Sequence, residues 1–98
     1  MRILVVVASR HGSTWEIGEV VADALASRGH LVDQRAPEDV ASVEGYDAVV
    51  LGSAVYLAHW MSAARDFADR FADQLAHLPV WMFSCGLATQ PAASANSP

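Results

Sequence analysis

The stretch ILVVVASRHGST, residues 3–14, carries a hydrophobic run that stops at a small, polar, glycine-containing loop. An amphipathic segment follows at once. A strand buried on both faces of a parallel sheet reads as continuous Val, Ile and Leu. The loop after such a strand brings the positive end of a helix, with its unpaired backbone N–H groups, to the carboxyl edge of the sheet. Ser9, Ser13 and Thr14 add hydroxyl donors there. The pattern therefore outlines a phosphate site. It is equally compatible with an ordinary helix start, in which Ser13 or Thr14 serves the orphan amides of the first turn.

Working outward, apolar residues recur at helical spacing over residues 13–28, through Ile17, Val20, Val21, Ala24 and Leu25, and Gly29 supplies a stop. Residues 30–35 alternate weakly around Leu31 and Val32 and predict a second, more exposed strand, and residues 37–45 predict a polar turn or short helix. Residues 48–51 form another continuous apolar run, ending in Gly52 and Ser53, so that strand followed by small polar loop occurs twice. Trp60, Ala64, Phe67, Ala68, Phe71 and Leu75 then place one apolar stripe on a long helix whose other face carries Arg65, Asp66, Asp69, Arg70 and Asp73. Pro79 separates that helix from a fourth strand, VWMFS. Alternating strands and helices predict an α/β domain with a right-handed, parallel sheet. Its ligand edge gathers three loops, residues 9–14, 53–60 and 84–90.

Composition narrows the function classes. Ninety-eight residues suffice for one domain, and 53% hydrophobic against 17% charged residues favours a buried core over disorder. The net charge is −5, and the six basic residues are all Arg and scattered along the chain, which argues against nucleic acid as a partner. The single cysteine, Cys85, forms no internal disulfide and fits a reducing compartment, where it reads as a buried, inert thiol. No signal-peptide pattern and no apolar run near ~18 residues is present, so the expected location is cytoplasmic, without membrane insertion.

The loop itself discriminates among phosphate-binding designs. A GxxxxGK loop needs a lysine, and this chain has none; a GxGxxG fingerprint needs glycines beyond Gly12, the single one in the first loop. A phosphoacceptor domain needs acidic residues after the first strand, and residues 8–14 contain none. Hydroxyls and backbone amides remain, a set suited to the single phosphate of a mononucleotide.

SRHGSTWEI resembles the phosphate loop of flavodoxins. YDAVVLGSAVYLAHWMSAARDF resembles the third strand, flavin-contacting loop and following helix of the flavodoxin-like family that includes menaquinone-dependent protoporphyrinogen oxidases, and LPVWMFSCG resembles that family's fourth strand. The resemblance spans residues 1–86, leaving residues 87–98, rich in Ala, Ser and Pro, as a flexible low-complexity tail. It implies a flavodoxin-like three-layer sandwich with strand order 2-1-3-4, lacking the usual fifth strand and last helix. It implies FMN as cofactor, with Ser9, His11, Gly12, Ser13 and Thr14 around the phosphate. Ser53, Ala54, Val55, Tyr56 and His59 would pass along the flavin ring, and Ser84, Cys85 and Gly86 would close its other side. Tyr56 is the expected ring contact, Trp60 is expected in the core at the start of its helix, and Trp15 and Trp81 read as packing residues. No metal ligand is implied.

The expected function is electron transfer through FMN to a redox partner protein or a quinone. Two other classes remain open: a flavin-dependent oxidoreductase of the protoporphyrinogen oxidase type, and a flavin-free dimerising scaffold. Without the last helix, apolar residues 49–51 and 80–83 would be left uncovered, which predicts a homodimer through that sheet surface.

Overall fold

The apolar run folds as β1, Arg2–Ala8, and it is buried on both sides. The computed structural model describes residues 1–9, 12–56 and 59–85, with Tyr56 as backbone only. Side chains alternate across a strand. Leu4, Val6 and Ala8 therefore enter one core with Phe67 and Phe71, while Ile3, Val5 and Val7 enter a second with Val50 and the half-buried Val21 and Leu25. Each core requires its own covering layer. Helix α1, Ser13–Ser27, covers one face, and α2, Ser62–Arg70, with α3, Ala72–Leu75, covers the other.

The sheet runs β2 (Leu31–Arg35), β1, β3 (Ala48–Tyr56), β5 (Val80–Cys85), all parallel, and this is the flavodoxin-like order expected from the sequence. The chain leaves β1 toward one side and returns to its other side at β3, so the order reverses between these two strands. Helices on opposite faces follow from that reversal, because crossover connections keep one hand. At the sheet's amino-terminal end, Arg2 is held by its N–H to Asp47 (2.8 Å) and packs its guanidinium 4.7 Å from the Tyr46 ring. Tyr46 donates to Asp33 at 2.6 Å, and burial, reinforced by that bond, pushes its phenol above the ordinary 10.0.

Several elements differ from the sequence expectation. β3 does not stop at Leu51 but runs through Gly52 and Ser53 to Tyr56, then folds back as β4, His59–Trp60, with Val55 opposite Trp60. Glycine at 52 permits this, since a methyl there would overlap the Phe83 ring on the neighbouring strand. The long helix is divided at Phe71, whose ring lies 5.1 Å from that of Phe67. Pro37–Asp39 is a single 3-10 turn, fastened by Arg70, which donates to the carbonyls of Pro37 (3.1 Å) and Val40 (3.0 Å).

The buried stripe of α1 also differs from the expected one. Ile17 and Val20 are exposed, and Thr14 and Gly18 are buried instead. Gly18 lets the helix approach the sheet: a Cβ there would lie 2.6 Å from Val7 Cγ2 and 2.8 Å from Gln34 Nε2. Gly29, at φ 94, ends α1 as expected, with the His30 N–H reaching Leu25 O (3.3 Å) and the Gly29 N–H reaching Ala26 O (3.0 Å).

Gly18→Ala should destabilise the domain by about 1–2 kcal/mol in chemical denaturation, because crowding against a buried valine outweighs the ~1 kcal/mol helix-propensity gain. A variant as stable as the parent would show that α1 can lift off the sheet without cost.

Candidate functional site

Parallel strands place all their carboxyl ends on one edge, and the reversal between β1 and β3 opens a crevice there. The last paired residues of β1 and β3 are Ala8 and Ser53, so Ala54, Val55 and Tyr56 project past the end of β1. Ser9 begins the loop on one side of the crevice, and the β3–β4 hairpin stands on the other.

Gly12 is the residue before α1, in the left-handed conformation at φ 89 with open space where a side chain would go. Its N–H donates to Ser9 Oγ at 3.1 Å, and its carbonyl accepts the Glu16 N–H at 3.0 Å. Among the described residues, no side chain caps the helix. The ordinary helix start, with Ser13 or Thr14 closing the first turn, is therefore not what the chain adopts. Ser13 is exposed, whereas Thr14 is only 2% exposed beneath the first turn. The start of α1 stands at this edge of the sheet, and a helix end of this kind favours negative charge.

A cavity of about 200 Å³ opens beside this turn, lined by Ser9, Gly12, Trp15, Ala36, Glu38 and Met61 among others. Only Ser9 and Gly12 of these belong to the site residues expected from sequence. Trp15, read as a packing residue, both packs on the α1-side core and lines the cavity, and its carbonyl accepts from Gln34 Nε2 at 3.1 Å. Ala36 and Glu38 enter from the turn after β2 and Met61 from the residue before α2, so nothing in the first loop could have pointed to them; the sole local cue was a turn after a strand that ends at the same edge.

Ser53 sits behind the wall of the crevice rather than on its surface. It is 0% exposed; its Oγ donates to Ala54 O at 2.8 Å and accepts the Met61 N–H at 3.1 Å, tying β3 to the start of α2. Ala54 is buried, Val55 half-buried and His59 exposed. Ser84 and Cys85 lie level with Ser53 and Ala54 on the adjacent strand, which brings both loops of the expected ring site to one edge. Cys85 is half-buried rather than buried, because β5 has a neighbour on one side only among the described strands. Trp60 packs partly buried against the α2-side core, as expected, but from β4 rather than from the start of the helix, which begins at Ser62. His11, Gly86, the tail at 87–98 and the side chain of Tyr56 lie outside what the structure describes.

The family description "Flavodoxin domain" matches residues 4–97. The chain belongs to the flavodoxin domain family. Among solved structures it is similar to oxidised flavodoxin 2 from Bacillus cereus, with TM-score 0.74 and 25% identity over 97% of this chain and 70% of that one. It is also similar in fold to the Fusobacterium nucleatum flavodoxin bound to flavin mononucleotide, with TM-score 0.72 and 14% identity over 87% of this chain and 52% of that one. Among curated proteins it is 30% identical over 95 residues to the protoporphyrinogen IX dehydrogenase (quinone) of Escherichia coli K12, covering 89% of this chain and 49% of the relative. The chain thus spans about half the length of the curated relatives it matches. Among the described residues, no helix is long and apolar enough to cross a membrane.

Ser53→Ala should cost about 1–3 kcal/mol in unfolding free energy, since it leaves a part-buried Met61 N–H without its acceptor. Ser13→Ala, at an exposed position, should stay within about 0.5 kcal/mol of the parent in the same denaturation experiment.

Proposed function

We propose that this chain binds FMN non-covalently and works as a flavodoxin-like electron-transfer protein. The observation that carries the reading is the start of α1, where the Gly12 N–H donates to Ser9 Oγ and, among the described residues, no side chain caps the helix, at the edge where the strand order reverses. The chemistry of the donor set fits a phosphate monoester, because hydroxyls and backbone amides need no fixed cation to hold it. Ser9, His11, Gly12, Ser13 and Thr14 would hold the phosphate. The backbone of Ser53, Ala54, Val55 and Tyr56, with His59, would flank the ring, and Ser84, Cys85 and Gly86 would close its other side. When bound, FMN supplies one- or two-electron transfer, and the protein's task is to orient the ring and set the charge around it. The net charge of −5 opposes further negative charge on the reduced ring.

The 30% identity to a quinone-linked protoporphyrinogen dehydrogenase supports a second reading, an oxidoreductase passing electrons to a quinone. The partner in either case is a redox protein or a quinone, met in the cytoplasm.

The same reading assigns a partner to the open side of the sheet. Between α1 and β5 lies an apolar groove of about 380 Å³, lined by Ile3, Val21, Leu25, Val50, Trp81 and Phe83 among others. Trp81, read from sequence as a packing residue, is 58% exposed, as is Met82 on the opposite face of the same strand. β5 carries no charge, and its edge, unpaired among the described strands, can be met by the β5 of a second copy about a twofold axis.

Incubation with FMN followed by desalting should leave flavin absorption bands on the protein and quench flavin fluorescence; a spectrum of tryptophan alone overturns the FMN reading. FMN-loaded protein that reduces a quinone with turnover selects the oxidoreductase reading over simple electron transfer. Light scattering at micromolar concentration should give a dimer mass that falls to the monomer in Trp81→Glu, and a monomeric parent removes the dimer.

A further inference from the structure

The backbone of β5 presents its outer edge in a fixed phase. The Val49 N–H donates to Pro79 O at 3.0 Å, and β5 runs parallel to β3 with Val50 beside Trp81 and Gly52 beside Phe83. In a strand the N–H and C=O of one residue point to the same side, and successive residues alternate. Trp81, Phe83 and Cys85 therefore turn their backbone groups toward β3, as Pro79 does its carbonyl. Val80, Met82 and Ser84 turn theirs toward the other edge, which is unpaired among the described strands. Side chains alternate between the two faces. Phe83 packs against the α1-side core and Trp81 lines the apolar groove with Val21 and Leu25, whereas Val80 packs against the α2-side core.

Edge strands are commonly guarded by charge. The segment VWMFSC carries none, so two copies meet there without like charges opposed. A twofold axis perpendicular to the sheet sets the two strands antiparallel, and residues of the same phase must then face one another. Centred on Met82, the pairing sets Met82 against its own copy and Val80 against Ser84, so each of the three outward residues exchanges hydrogen bonds with a partner. Centred on Trp81 or Phe83, it leaves Ser84 or Val80 unmatched within β5, and a centre between two residues opposes the wrong phases. The Met82 register also sets Trp81 against Phe83 in non-hydrogen-bonded pairs, whose Cα atoms come within about 4.5 Å and whose side chains are the closer kind. Aromatic pairs across strands are favourable, and both rings stand on the α1 face.

We propose that two copies of this chain pair through β5 in an antiparallel register centred on Met82, with Trp81 of each lying against Phe83 of the other. This arrangement rests on the twofold dimer proposed above and adds its register and its aromatic seam. The four rings form a wall shared by the two apolar grooves, which accounts for a large aromatic side chain at an otherwise uncovered position of β5. On the opposite face, the two Met82 side chains meet at the axis.

The test is oxidative cross-linking of single cysteines in a Cys85→Ser background, with the mass of each form followed by light scattering. Met82 is 58% exposed, so Met82→Cys leaves both cores intact. Facing Cα atoms of a hydrogen-bonded pair lie about 5.5 Å apart, within the span of a disulfide. Oxidised Met82→Cys should run as a covalent dimer that reductant resolves. Ser84→Cys alone should stay free of cross-links, because its opposite number is the partner's Val80, and a mixture of Val80→Cys with Ser84→Cys should give the mixed covalent dimer. Should Met82→Cys fail to fold, that mixture decides. A dimer that cross-links at Ser84→Cys alone, or at neither Met82→Cys nor the mixture, overturns the register while the dimer stands. Monomers in every form, the parent with its native Cys85 included, remove the dimer and this arrangement with it.

Discussion

The structure depends on burying both faces of β1. Val5 and Val6 are fully inaccessible and point in opposite directions, so neither a one-layer cover nor a solvated sheet face would satisfy the strand. Burial of each such side chain contributes about 1.5–3 kcal/mol, and a strand that collects that gain on both sides must sit inside its sheet with helices above and below. β2 and β3 supply the flanks, α1 one cover, and α2 with α3 the other. The Arg2, Asp47 and Tyr46 contacts fasten the amino end of this arrangement.

That constraint also creates the crevice. A central strand whose neighbours are reached by crossovers in opposite directions leaves a gap at its carboxyl end, and the loop after β1 has nowhere else to go. Gly12 turns the chain there through a conformation that a side chain would resist, and Ser9 holds the turn. Ser53 then matters as a joint rather than a contact: one buried hydroxyl ties the end of β3 to the start of α2. The same joint sets Met61 at the cavity, opposite the turn that Arg70 holds around Glu38. This end of the crevice is thus assembled from three separate connections.

The open side of the sheet has the complementary origin. α1 covers β1 and β2 closely because Gly18 lets it, and from that position it does not reach across β5. Trp81, Ile17 and Val20 are left exposed. Apolar residues at helical or strand spacing announce that a face needs covering but not whether the cover comes from the same stretch of chain, which is why Ile17, Val20 and Trp81 read as interior residues in the sequence.

Residue order alone determined the parallel α/β class, the place of β1 within the sheet and the end of α1 at Gly29, because these follow from local pattern: a continuous apolar run, helical spacing, a glycine at a stop. It also placed Ser53 and Ser84 at one edge of the sheet, because parallel strands share their ends. Tertiary structure decided that β3 runs on to Tyr56 and folds back onto β4, that the hydroxyl of Ser53 is turned inward, that α1 rests on Gly18, and that Glu38 shares a cavity with Gly12. Each of these depends on which distant segment arrives at a given place, Phe83 over Gly52, Met61 against Ser53, Val7 beneath Gly18, and Arg70 around the turn at 37–40. Packing partners far apart in the chain leave no periodicity to read, and only the closed sheet brings them together.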